Sequence, residues 1–316
     1  MNTQASRYAR IKRAEKRGAW LMVLITLLII VFAEDTILSS LHESAYYYLS
    51  GFVAISLVSL FFNYRTFVLT AFGCTGILAL FLKLNLDANQ SFALDNHTEE
   101  LVVQLINLEL ISDEVDRQRQ LFRSLDADVL IFQGYNPLWR SIINTYVDST
   151  MMQRVPYNRI DLYGQLILSR KPITFADTIV QHDIPMINLA INLNDGDRLN
   201  MISFILPPPL TSRVETQQKA FINQLIFAKS TSTPTLIVGN FNLTPWSDKL
   251  QLMKYKTNTK SSRVNKSKLN LIQENPFDYN PSMHMLYNRR VQNTFFDELE
   301  YNSVHIGVTG SYQIKK

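Results

Sequence analysis

Three apolar runs crowded into the first 86 residues constrain this chain more than any other feature: Gly18 to Ala33, Ala45 to Phe62 and Thr66 to Leu86. The second and third have about 18 and 21 residues, enough to cross a hydrocarbon layer of ~30 Å at ~1.5 Å per residue. The first is long enough only if it extends through Leu38, which sets Glu34 and Asp35 near an interface. Asn63-Tyr64-Arg65 forms a tight turn between runs two and three, and Tyr46, Tyr47 and Tyr48 open run two as an interfacial aromatic belt would. These features predict a basic head at 1–17 and three transmembrane helices at 18–86.

A signal peptide shares the basic start and apolar centre, but no small-residue cleavage pattern follows run one and two more runs come directly after it. A retained anchor is therefore expected. Arg7, Arg10, Lys12, Arg13, Lys16 and Arg17 precede the first run and the first loop has no Lys or Arg. The positive-inside rule then puts the N-terminus in the cytoplasm. Three crossings carry the rest of the chain to the far side, the periplasm if the source is a bacterium with the anchor in its inner membrane. No Asp, Glu or His lies in the middle of a run, so the helices read as an anchor and not as a transport path.

Charge excludes one partner class. Residues 1–86 hold eight Lys/Arg and four Asp/Glu, whereas residues 87–316 hold 23 of each. A neutral domain lacks the broad basic face of a nucleic-acid binder. The single cysteine, Cys74, excludes an internal disulfide and any Cys-based zinc site.

After a linker at 87–98, residues 99–316 alternate strands with helices. Leu101 to Asn107 and Asp128 to Gln133 read as buried strands flanking a helix from Asp113 to Leu125, whose stripe is Val115, Leu121, Phe122 and Leu125. Further strands are predicted at 166–168, 187–193, 201–206, 235–238, 284–287 and 304–312. A helix spans Glu215 to Lys229 after the Pro207-Pro208-Pro209 break. Lys254 to Lys268, with six Lys/Arg and no acid, reads as a solvated loop, or else as a contact for a phosphate-bearing polymer or lipid headgroup. Buried strands mixed with long helices indicate a layered α/β sandwich. His182 and His284 show no metal-ligand spacing and read as structural or exposed.

The order of Asp-Val-Leu-Ile-Phe-Gln, Leu-Ser-Arg-Lys-Pro-Ile, a triple-proline turn, Gly-Asn-Phe-Asn-Leu-Thr-Pro-Trp-Ser and a terminal Ser-Val-His resembles the endonuclease/exonuclease/phosphatase superfamily, in particular its bacterial members with N-terminal membrane helices. The resemblance covers residues 99–314 and implies a four-layer α/β/β/α sandwich. It also implies hydrolysis of phosphoesters with a divalent cation, Mg²⁺ or Mn²⁺, held by carboxylates beside a His–Asp pair.

Position by position, that machinery is depleted. The metal-binding Glu of the resemblance falls on Gly134, and its Asp positions fall on Asn240, Met283 and Val304. One His falls on Ile205 or Leu206. Asn107, Gln133, Asn242 and His305 match. Without the charged ligands no metal cofactor is expected, and His305 has no visible orienting acid. The expected function is a membrane-anchored, catalytically inactive domain that acts by binding. Its vestigial catalytic positions are His305, Asn240 and Asn242, with Asn107 and Gln133 as ligand contacts. The expected partners are the lipid bilayer, a membrane or periplasmic protein, or a phosphate-containing ligand. The alternative is an active metal-dependent phosphoesterase with relocated ligands. Glu109, two residues beyond Asn107 on the same strand face, would then be a substitute metal ligand.

Overall fold

A computed structural model describes residues 2–31, 41, 44–62, 64–85, 100–111, 115–147, 149–193, 196–208, 211–228, 233–265, 282–302 and 304–314. The chain divides into two compact units, the first holding three N-terminal helices and the second holding both β-sheets.

In the helical unit, α1 spans Asn2–Val31, α2 spans Ala45–Phe61 and α3 spans Arg65–Asn85. The basic head is thus not a separate segment, because its residues continue into the first apolar run as one helix. Among the described residues one helix is long and apolar enough to cross a membrane, the 20-residue stretch Arg65–Leu84. The expectation of three spans is corrected to that extent. The apolar part of α1 described here starts only at Gly18 and stops at Val31, a rise of ~20 Å at ~1.5 Å per residue. α2 has 17 residues. Glu34, Asp35 and the 87–98 linker lie outside the described residues.

The second unit is an α/β sandwich of two six-stranded sheets. The strands are β1 Glu100–Asn107, β2 Val129–Gln133, β3 Gln153–Tyr157, β4 Gln165–Ser169, β5 Ile173–Gln181, β6 Ile184–Asn192, β7 Arg198–Phe204, β8 Thr235–Asn240, β9 Thr259–Ser261, β10 Met283–Asn288, β11 Val291–Tyr301 and β12 Val304–Ile314. One sheet runs β11-β12-β1-β2-β4-β3 and the other β5-β6-β7-β8-β10-β9. Each has a parallel pair at its centre, β1 with β2 and β7 with β8. Alternate residues of both sheets, among them Val103, Ile131, Ile167, Leu189, Met201 and Val238, fill the space between them.

The outer faces are covered by helices. α4 (Val115–Ser124) and α5 (Pro137–Tyr146) lie over the first sheet, with Phe122 packed edge-on to Phe132 and Trp139. Burying Phe122 contributes ~1.5–3 kcal/mol by apolar area alone. α5 starts where it does because Asn136 accepts a 3.0 Å hydrogen bond from the Leu138 amide and Pro137 sits in the first turn. α6 (Ser212–Ala228) lies over the second sheet, with Phe221 against Phe204.

α5, α7 (Asp248–Thr257), β3, β5, β9 and β11 have no counterpart among the sequence expectations. β3, β5 and β11 are edge strands, where only one side is paired and the apolar alternation weakens. The basic stretch from Lys254 is not a solvated loop. It holds the end of α7 (Asp248–Thr257), then β9 and a 3₁₀ turn at Ser262–Asn265, and Lys254 and the Arg263 side chain are buried. Lys266 and Lys268 lie outside the described residues.

Candidate functional site

Because β1 and β2 run parallel in register, with Asn107 beside Gln133, their C-terminal ends open at one edge of the sheet. The ends of β7 and β8 open at the matching edge of the other. A cavity of about 290 Å³ lies there, lined by Asn107, Glu109, Leu110, Gln133, Leu162, Ile205, Pro208, Asn240, Asn242 and Ser282. The structure therefore brings together Asn107, Gln133, Asn240, Asn242 and Glu109, which the sequence singled out. His305 is not in that lining.

The amide side chains are committed to holding the site's backbone. Gln133 is buried and bridges the two sheets: its Nε2 donates to the Phe204 carbonyl at 3.0 Å, and its Oε1 accepts from the Asn240 amide at 2.9 Å. Asn240 Oδ1 accepts from the Asn242 amide at 3.2 Å, and Asn242 Nδ2 donates to the Leu206 carbonyl. Asn242 has φ 48, a left-handed conformation that Asn tolerates better than most residues. Asn107 Oδ1 accepts from the Glu109 amide at 3.1 Å, capping the 3₁₀ turn Leu108–Leu110. That turn is what swings Glu109 off the strand and into the cavity. A second bridge between the sheets, Ser203 Oγ to Gln165 Oε1 at 2.7 Å, was not foreseen. Its only signal is a polar residue at the start of β4 and another among the buried residues of β7.

Gly134 and Glu109 are complementary. Gly134 has φ 72, and a Cβ there would lie 2.8 Å from Glu109 Cγ and 3.5 Å from Glu109 Cδ. The Glu109 side chain occupies the volume that a side chain at 134 would fill. A carboxylate from the turn after β1 thus stands beside the end of β2.

His305 has acidic neighbours, contrary to the expectation of none. Its Nδ1 is 3.6 Å from Glu298 Oε2 and 3.6 Å from Glu300 Oε1. The cause is pairing. Glu298 and Glu300, two apart on β11, share a face, and an extra residue in β12 at Ile306 sets His305 opposite Glu300 across the ladder. Glu298 is itself buried in an ion pair with Arg263, whose Nη2 also donates to the Met283 carbonyl. His284 is structural: fully buried, stacked on Phe241, its Nε2 2.6 Å from the Leu243 carbonyl. A carbonyl can only accept, so Nε2 carries the proton. Burial, and then the nearby Arg263 charge, lower its pKa to about 3. His182 sits exposed at the β5–β6 hairpin turn.

This donor set does not fit a divalent metal. Among the described residues no group of three His, Cys, Asp or Glu side chains is placed to hold one. Among the described residues the cavity offers one carboxylate, and hard cations need several oxygen ligands, usually anionic.

Two sandwiched mixed sheets flanked by helices, with a cavity at the strand ends, define the class of phosphoesterase-like α/β sandwiches. The sequence model of the endonuclease/exonuclease/phosphatase family matches residues 106–296, well over half the chain, and the chain belongs to that family. Solved structures agree on the fold. An endonuclease/exonuclease/phosphatase from Beutenbergia cavernae DSM 12333 superposes with TM-score 0.55 at 10% identity, covering 68% of this chain and 72% of that one. A family protein from Bacteroides thetaiotaomicron gives 0.54 at 12% identity, covering 69% and 99%. A mannosyl-6-phosphatase from B. thetaiotaomicron VPI-5482 gives 0.53 at 13% identity, covering 67% and 99%. A search of curated proteins found no match. Members of the family are generally phosphoester hydrolases that use Mg²⁺ or Mn²⁺.

Proposed function

We propose that this chain is a membrane-attached member of the family whose α/β unit works by binding, without metal-dependent hydrolysis. The observation that carries this reading is the cavity's composition: among the described residues, ten line it with a single carboxylate, Glu109, and amide groups already bonded to the backbone. Lewis-acid phosphoryl chemistry requires a held metal, and this donor set does not hold one. Among the described residues no Lys, Arg or His lines the cavity, so these residues offer no positive charge to a phosphate-containing ligand. A membrane or periplasmic protein partner at the rim is the other occupant consistent with this reading.

Attachment rests on α3, with α1 and α2 beside it in sequence. One crossing or three is an odd number, so either carries residue 100 onward across the bilayer from the basic head. For a bacterial chain, that is the periplasmic face of the inner membrane.

A second reading is favoured by one observation. Glu109 stands over Gly134 in place of the family's glutamate, and His305 has Glu298 and Glu300 beside it. An active enzyme with relocated groups would use them. The deciding assay is turnover of bis(p-nitrophenyl) phosphate by the full chain in lipid nanodiscs with Mg²⁺ or Mn²⁺. No turnover above the protein-free rate is expected. Turnover abolished by Glu109→Gln would overturn the binding reading in favour of the second.

A further inference from the structure

Resting on the binding reading above, we propose that the cavity accepts an organic cation, an ammonium group on a short alkyl body, where relatives accept a phosphoryl group. Three observations converge on that chemistry. Glu109 is the one ionisable residue among the ten described residues that line the cavity. Its backbone amide caps the turn at Asn107, but its carboxylate has neither an ion-pair nor a hydrogen-bond partner among the described residues. Leu110, Leu162, Ile205 and Pro208 supply apolar walls beside it, suited to the methylenes of an alkylamine and not to a hydrated ion.

The competing occupants fit less well. An anionic phosphate would meet like charge at Glu109 with no compensating cation among the described residues that line the cavity. A divalent metal needs further anionic oxygens, and the carboxamide oxygens of Gln133, Asn240 and Asn107 already accept backbone hydrogen bonds. An ammonium needs one carboxylate and few other acceptors, and Asn242 Oδ1, with no partner among the described residues, is an additional one. The cavity volume of about 290 Å³ suits a small ligand. The ammonium could belong to a free amine or to a lipid headgroup, and the chemistry at Glu109 is the same.

The test is calorimetric titration of the full chain in phosphatidylglycerol nanodiscs with butylammonium, and separately with butanol, inorganic phosphate and Mg²⁺. Butylammonium should bind, butanol should bind at least about tenfold more weakly, and Glu109→Gln should weaken butylammonium at least about tenfold. Glu109 is an exposed residue, and Gln keeps its shape, so the fold is retained; an unchanged melting temperature checks this. Weakened butylammonium binding in nanodiscs containing phosphatidylethanolamine identifies a headgroup as the source, and unchanged binding identifies a free amine. Equal affinity for butanol and butylammonium overturns the proposal, as does phosphate or Mg²⁺ binding more tightly than butylammonium. Hydrolysis in the assay above refutes the binding reading itself. Absence of both hydrolysis and ammonium binding refutes this inference alone.

Discussion

Gly134→Ala tests whether the Glu109 carboxylate has taken over space at the end of β2. Two costs are separable. The φ of 72 at position 134 suits glycine, and an L-residue held there costs ~1–2 kcal/mol. The new Cβ would also sit 2.8 Å from Glu109 Cγ, so the glutamate must swing out of the cavity or the turn must shift. Displacing an exposed side chain costs less than displacing core atoms, on the order of 0.5–1 kcal/mol for an off-rotamer or lost contact. The substitution should therefore lower stability by ~2 kcal/mol, or ~4–8 °C in melting temperature for a unit of this size. In a Glu109→Ala background the steric part disappears, so the same substitution should cost only ~1–2 kcal/mol. The assay is thermal unfolding of the four proteins of this double-mutant cycle, full chain in detergent, followed by near-ultraviolet circular dichroism. An identical cost in both backgrounds would mean that Glu109 does not occupy the vacated volume. A neutral or stabilising Gly134→Ala would refute the left-handed conformation as well.

Further outcomes follow from groups around the cavity. Gln133→Leu should destabilise the α/β unit by ~2–4 kcal/mol, because the Phe204 carbonyl and Asn240 amide lose their partners in a buried position. Melting temperature reports this, and a loss under 1 kcal/mol would refute the sheet-bridging role. His284 has a folded-state pKa of about 3, below its ordinary value near 6.5. As pH falls through 6.5 the unfolded chain gains a proton that the folded chain refuses. Stability present above pH 6.5 is therefore lost progressively down to about pH 3, with a limiting slope of ~1.4 kcal/mol per pH unit. Unfolding free energy measured from pH 7.5 to 4.5 should show this acid limb, and His284→Gln should flatten it.

Four of the candidate site residues and Glu109 come together at the cavity while His305 does not line it, and none of their roles was legible in the sequence. Asn107, Gln133, Asn240 and Asn242 are adjacent in space because parallel strand ends converge, which the order of motifs implied. That their amides are spent on backbone groups depends on where Phe204, Leu206 and Asn240 present carbonyls and N–H groups, and no local pattern encodes that. The acidic neighbours of His305 depend on the β11–β12 register, shifted by a bulge. Glu109 was visible only as a residue two beyond Asn107, and the 3₁₀ turn decided that it enters the cavity.

By itself the sequence determined the class of fold. Period-two and period-3.6 apolar patterns are local properties, and they sufficed for the buried strands, for α4 and α6, and for the long apolar α3. Tertiary structure decided the edge strands, the burial of the basic stretch around Arg263 and the place of Glu109 in the cavity. Each of these depends on contacts between residues far apart in sequence, such as Arg263 with Glu298 and Gln133 with Phe204. The free energy of such a contact comes from pairing charges or polar groups away from water, and the location of that dry space is a property of the packed sheets alone.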